Sequence, residues 1–149
     1  MAASRRELAA QTWGALLQVH AALVPSMDRQ LRRQVGLPLG WYDVLLELQA
    51  AARRRLTMSQ LGARVVLSRT RTSRVVDELV AADLVAREPN PDDARSAFAV
   101  LTARGLAEFR RAAPVYLSAI EGEFAEPLKT EELRQLRALL LRIRDAAGH

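Results

Sequence analysis

Two stretches of this chain carry side chains that folding alone does not call for. The first runs from Arg53 to Arg74 and holds seven arginines without one Asp or Glu between them. The second is NPDDARSAFAVLT, residues 90–102, where Asp92, Asp93 and Arg95 precede an alternating apolar run. A turn uses Pro, Asn and Asp, but it has no need of Arg95. Guanidinium groups gathered in this way, with no acids to neutralise them, are the electrostatic footprint of a polyanion binder.

The charge distribution sharpens that reading. The formal net charge is +5, and residues 52–111 hold twelve Arg against seven acids, while the two flanks nearly cancel. Catalysis fits poorly. The chain has two histidines, His20 and the terminal His149, and no cysteine, so thiolate metal sites, disulfides and thiol redox switches are excluded. There is no metal-spaced cluster, phosphate-cradling glycine loop or nucleophile elbow, and no cofactor is implied. Asp92 and Asp93 would need a pocket to act as an acid/base pair, and a turn does not supply one. No apolar run approaches the roughly 18 residues of a membrane span, and MAASRRELAAQTW has no apolar signal core. A cytoplasmic protein is the expectation.

Periodicity supplies the elements that must position these arginines. Ser4-Arg5-Arg6-Glu7 has capping-box spacing. Trp13, Leu16, Leu17, His20, Leu23, Val24, Met27 and Leu31 then predict a helix to about Gln34, kinked at Pro25. GLPLG breaks the pattern, and Trp41 to Ala51 reads as a second helix with Val44, Leu45 and Leu48 inward. Thr57-Met58-Ser59-Gln60 is another capping box, opening a short helix to about Val65. Ser68 caps the next helix, which runs to about Ala81. Two short helices joined by a tight turn make a helix-turn-helix, here without the glycine often found in the turn. Strands over 84–88 and 97–101, the latter alternating Phe98 and Val100 with Ala97 and Ala99, make a hairpin wing. Thr102 caps a long helix kinked at Pro114, and Thr130-Glu131-Glu132 caps a last one with Leu133, Leu136, Leu140 and Ile143 at a/d spacing.

The expected fold is therefore mainly α with a small β wing: a winged helix-turn-helix flanked by N- and C-terminal helices. The corresponding division is 1–36 for the N-terminal helix, 37–110 for the winged helix-turn-helix DNA-binding domain, and 111–149 for the C-terminal helices. On a wheel of 100° per residue, Thr72, Val75, Val76 and Leu79 face the core. Thr70, Ser73, Arg74 and Asp77 face outward, with Arg69 and Arg71 at the borders. A major groove admits one helix and is read mainly from its N-terminal residues. Arg74 suits guanine O6 and N7; Ser68, Thr70 and Ser73 suit base edges or phosphate; Arg69 and Arg71 suit phosphates. Arg95, at the wing, suits a narrow minor groove, with Asp93 holding its guanidinium by a charge-assisted bond.

These residues resemble the MarR family of transcription regulators. The resemblance is carried by LSRTRTSRVVDELVAADLVAREPNPDDARSAFAVLTARG, residues 67–105, and extends upstream through GWYDVLLELQ and LTMSQLGARVVLS. Within it, Arg74 to Leu79 resembles the recognition-helix core, Asp93-Ala94-Arg95 the wing D-x-R, and Leu101-Thr102 with Gly105 the LT..G ending. Asp83 stands where the family commonly has glycine, and Ala94 where it often has arginine. The resemblance implies a homodimer, with 1–36 and 111–149 as the N- and C-terminal dimerisation helices, on a pseudo-palindromic duplex, usually a repressor, released by a small, often anionic or aromatic effector. His20, Trp41 and Tyr42 are the candidates for such a ligand site. Two other readings remain open on the sequence: a protein-interaction co-regulator that reads no DNA, and a sequence-indifferent, nucleoid-type binder.

Overall fold

Ser4 begins the first helix as its spacing requires. Its hydroxyl accepts from Glu7 N at 3.2 Å, and its own N–H donates to the Glu7 carboxylate at 2.7 Å. That bond also holds the Glu7 carboxyl below the usual carboxylate range. The computed structural model describes residues 2–148 of the chain. Helix α1 covers Arg5–Val35 without a break, Pro25 included, and ends on Gly36 at φ 69°, the left-handed conformation in which glycine costs least. Helix α2 covers Leu39–Ala50, starting two residues before the expected Trp41. Its cap is supplied from outside the local sequence: the Leu39 N–H donates to Asp28 Oδ1 of α1 at 2.8 Å.

A 3-10 turn, Ala52–Arg54, leads into a three-residue strand, β1 (Arg55–Thr57), and then helix α3 (Met58–Arg64). Thr57 ends the strand and also caps α3, accepting from Gln60 N while Gln60 returns the bond. Helix α4 (Arg69–Ala81) follows with Ser68 as its cap. The hairpin strands are β2 (Val85–Glu88) and β3 (Phe98–Leu101), and helix α5 covers Ala103–Ile120. The sheet has three strands, in the order β1-β3-β2, both pairs antiparallel. The sequence had suggested only the hairpin. A three-residue strand that carries one buried side chain, Leu56, shows no alternation to read.

On β3 it is Ala99 and Leu101 that face the core, while Phe98 and Val100 are half-exposed. The small alanine lets the wing sheet lie close against the helices. Phe98 is covered instead by Arg55, whose guanidinium sits 4.3 Å from the ring centroid.

The core centres on α2. Val44, Leu45 and Leu48 are fully buried with Leu31, Leu61, Val76 and Leu79. Tyr42 continues it towards α5, its ring 5.3 Å from that of Phe109 and 4.8 Å from that of Tyr116. Asp43, beside them, is pushed up to about 6, first by burial and then by the like charge of Glu47.

Beyond α5 a π-helical turn, Glu121–Ala125, is held to α1 by Ser26 and Gln30, which both donate to Glu123 Oε1. Helix α6 covers Thr130–Ala146. Thr130 lies inside it and does not cap it; the N–H left free by Lys129 is taken by the Glu132 carboxylate at 2.7 Å. No α6 residue is buried, and the a/d positions Leu140 and Ile143 face outward.

Where α4 leaves, the chain turns on Asp83 at φ 61°, so the left-handed position keeps its conformation without glycine. The Thr102 hydroxyl donates to the Asp83 carbonyl at 2.8 Å and accepts from Gly105 N at 2.9 Å. A Cβ on Gly105 would lie 2.0 Å from the Leu84 carbonyl oxygen, which explains glycine there. Gly105→Ala is expected to cost about 3 kcal/mol, as severe overpacking does; an unchanged thermal midpoint would refute the close approach. Asp43→Asn tests the buried carboxylate. Because the folded state raises the acid's pKa, its protonated form favours folding; that stability is complete below about pH 4 and lost as pH rises through about 6. The Asn variant should thus gain roughly 1–2 kcal/mol at pH 7.5 after allowance for partial exposure, and the gain should vanish near pH 4.

Candidate nucleic-acid interface

Helix α4 sorts its residues by face. Thr72, Val75, Val76 and Leu79 are its buried positions, and the Thr72 hydroxyl is satisfied by the Ser68 carbonyl at 2.8 Å. This fixes the rotation of the helix. Arg69, Thr70, Arg71, Ser73 and Arg74 are consequently exposed together, next to exposed Ser68 at the cap. Ser68 Oγ accepts from Arg71 N at 3.2 Å, so its hydroxyl is already engaged in the helix start.

Two carboxylates on the same helix are spoken for by its neighbours. Asp77 pairs with Arg87 of β2, tying the helix to the wing. Glu78 accepts from the Trp41 indole N–H at 2.7 Å, tying it to α2. Among the described residues, Arg69, Arg71, Arg74 and Arg95 have no carboxylate within ion-pair distance. These four unneutralised guanidinium groups, three on α4 and one on the wing loop, can donate bidentate hydrogen bonds to phosphate or to a base edge.

The wing loop is built from Asx turns. Asn90 Oδ1 accepts from Asp92 N at 3.0 Å, and Asp93 Oδ1 accepts from Arg95 N at 2.9 Å. The second bond corrects the sequence expectation: Asp93 fixes the backbone of Arg95 and leaves its guanidinium free. A carboxylate two residues before an N–H closes a local ring more readily than it reaches a long side chain. Arg95 itself is exposed at the tip. Sequence reasoning missed Arg87 and Arg55, which brace the wing. Arg55 lies 3.8 Å from Glu88 and stacks on Phe98. The only signal was the outward placement of Asp77, which needed a partner.

The three candidates for a ligand site are not brought together. Tyr42 is 3% exposed and belongs to the core. His20 is exposed on α1 and lines neither the cleft between α2 and α4 nor the one between α1 and Phe124. Trp41 alone lines a cavity, an open one of about 540 Å³ between α2 and α4 with Arg32, Arg71, Arg74 and Glu78 in its walls. Periodicity could not separate these cases, because an aromatic at a helical apolar position reads the same whether it fills the core or edges a cleft.

Comparison with known proteins follows the same lines. The MarR family model matches residues 35–96, from the end of α1 into the wing loop. A search of curated proteins finds no significant match. Among solved structures, the chain is similar to Sco3205, a MarR family transcriptional regulator from Streptomyces coelicolor solved in complex with DNA. The identity is 29% and the TM-score 0.85, covering 98% of this chain and 91% of that one. It is also similar to AbsC, a MarR family regulator from the same organism, at 29% identity and TM-score 0.82, covering 100% and 99%. Sco5413, another from that organism, matches at 26% identity and TM-score 0.79, covering 97% of each chain. The winged helix, its flanking helices and these likenesses agree: residues 35–96 match the MarR family model, and along nearly its whole length the chain is similar to MarR family transcriptional regulators.

Proposed function

We propose that the protein is a dimeric, sequence-specific DNA-binding regulator, most naturally a repressor, that binds a pseudo-palindromic operator. The observation that carries this reading is the set of unpaired arginines on the outward face of α4, joined by Arg95 at the wing. In this reading α4 enters the major groove, where Arg74 donates to a guanine and Thr70 and Ser73 meet base edges. Arg69 and Arg71 neutralise phosphates, Ser68 orients the helix start, and Asp93 holds the loop from which Arg95 enters the minor groove. That a similar regulator, Sco3205, was solved in complex with DNA supports the assignment.

Dimerisation is supported by apolar surface that a lone chain leaves in water. Trp13, Leu16 and Leu17 on α1, Leu117 on α5, and Leu139, Leu140 and Ile143 on α6 are all exposed, Trp13 at 61% and Ile143 at 64%. Exposed apolar side chains in this number favour an interface with a second copy. Residues 1–36 and 111–149 form the dimerising part on this reading, and 37–110 the reading part. Two symmetric readers require half-sites about one helical turn apart. The cavity edged by Trp41, Arg32, Arg71 and Arg74 suits an anionic aromatic effector, whose occupancy would relieve repression.

Selection of bound sequences from randomised duplexes at about 150 mM salt should enrich a pseudo-palindrome. Binding without enrichment would favour the nucleoid-type reading, and no binding the protein-interaction one. On the selected duplex, Arg74→Ala should cost about 1–3 kcal/mol and relax preference at one base position. Arg71→Ala should weaken all sequences alike and lower the salt slope by about 1. If affinity survives Arg74→Ala combined with Arg95→Ala, the reading face is misassigned. Sedimentation should find wild type as a dimer and the pair Leu140→Asp with Ile143→Asp as a monomer; a dimer in both would place the interface elsewhere.

A further inference from the structure

The turn between α3 and α4 carries an oddity that neither folding nor the contacts proposed so far absorb. Its sequence is Val65-Val66-Leu67, where helix-turn-helix turns often use glycine. Val65 is buried, and Leu67 is half-buried, its Cδ1 within 3.8 Å of where a Cβ on Gly40 would sit. Val66 between them is 86% exposed, more than any other large apolar side chain of the described residues. The turn does not force this choice. The described non-glycine residues at positive φ are Arg53, Arg54 and Asp83, so Val66 occupies an ordinary conformation open to any polar residue.

Nor does the apolar dimer surface account for it. The exposed Trp13, Leu16, Leu17, Leu117, Leu140 and Ile143 all lie on α1, α5 and α6, whereas Val66 belongs to the reading unit. It stands two residues before the Ser68 cap, at the same end of α4 as Arg69 and Thr70. With α4 in the major groove, as proposed above, an apolar side chain held out there would meet the groove at its edge. The one apolar group that base edges offer in that groove is the thymine 5-methyl.

We infer that Val66 is a specificity-determining residue, seating its two methyl groups on the 5-methyl of a thymine that flanks the bases read by α4. The inference rests on the DNA-reading function proposed above and adds to it a base preference that hydrogen bonding by the arginines does not supply. Its β-branched side chain has few rotamers to lose on contact, and turn backbone on both sides is anchored by Val65 and Leu67.

The test replaces thymine by deoxyuridine, one position per half-site, in the selected operator. This removes the methyl and leaves every hydrogen-bonding group in place. For the wild-type protein, one substitution should weaken binding about fourfold per half-site, the worth of one buried methyl-sized group. Val66→Ser, at an exposed position outside the core, should bind the thymine and deoxyuridine duplexes equally and fold with an unchanged thermal midpoint. The inference is overturned if no thymine position responds, or if Val66→Ser keeps the full preference for thymine; DNA reading by α4 would then still stand. Failure of the wild-type protein to bind any duplex would overturn both.

Discussion

The orientation of α4 against α2 is the constraint on which the rest of the structure depends. Val75, Val76 and Leu79 bury against a core whose centre is Val44, Leu45 and Leu48, all at 0% exposure. Each buried aliphatic side chain contributes roughly 1.5–3 kcal/mol, so rotating the helix by even one residue would forfeit several of them. Sequence then dictates what the other side must show. With the apolar stripe inside, Thr70, Arg71, Ser73 and Arg74 have nowhere to point but outward. The face that can read a groove is the by-product of the face that makes the core.

Charge placement refines that arrangement. A helix that presents several arginines would gain local stability by pairing them with its own acids, since oppositely charged neighbours three or four residues apart attract. Here Asp77 and Glu78 are diverted, one to Arg87 of the wing and the other to the Trp41 indole. Exposed pairs contribute little free energy, but they fix where a carboxylate is not. The arginines at the start of α4 are left unneutralised, and the wing and α2 are braced to α4 by the same two bonds. At the wing tip, Asp93 likewise takes the Arg95 backbone N–H and leaves the guanidinium free.

Much of this was legible in the sequence because the signals are local. The capping boxes at Ser4 and Thr57, the Ser68 cap and the four inward residues of α4 all follow from spacing within one helix. What escaped was set by distant chain. Helix α2 starts at Leu39 because Asp28 of another helix takes its N–H. Strand β1 exists because β3 offers it an edge, with Arg55 opposite Val100 and Thr57 opposite Phe98. Tyr42 and Trp41 are adjacent and chemically alike, yet one is core and the other edges a cleft, since successive helical residues point about 100° apart. The arginine face of the candidate site was thus readable, while the ligand candidates were not.

Helix α1 joins the two parts of the molecule more rigidly than a linker would. Its first half carries exposed Trp13, Leu16 and Leu17, and its last turns bury Met27 and Leu31. Asp28, in those last turns, caps α2, whose Trp41 is bonded to Glu78 of α4. On the dimeric reading, the apolar half of α1 is held by the second copy and the other half holds the reading helix through two hydrogen bonds and a packed core. A change in how α1 packs against its partner would therefore displace α2 and α4 with it, because a close-packed core transmits displacement and does not absorb it. On that same reading, contacts among α1, α5 and α6 would set the separation of the two α4 faces without touching a nucleotide. The physical role of those helices, on the dimeric reading, is to hold α4 in place rather than to meet the duplex.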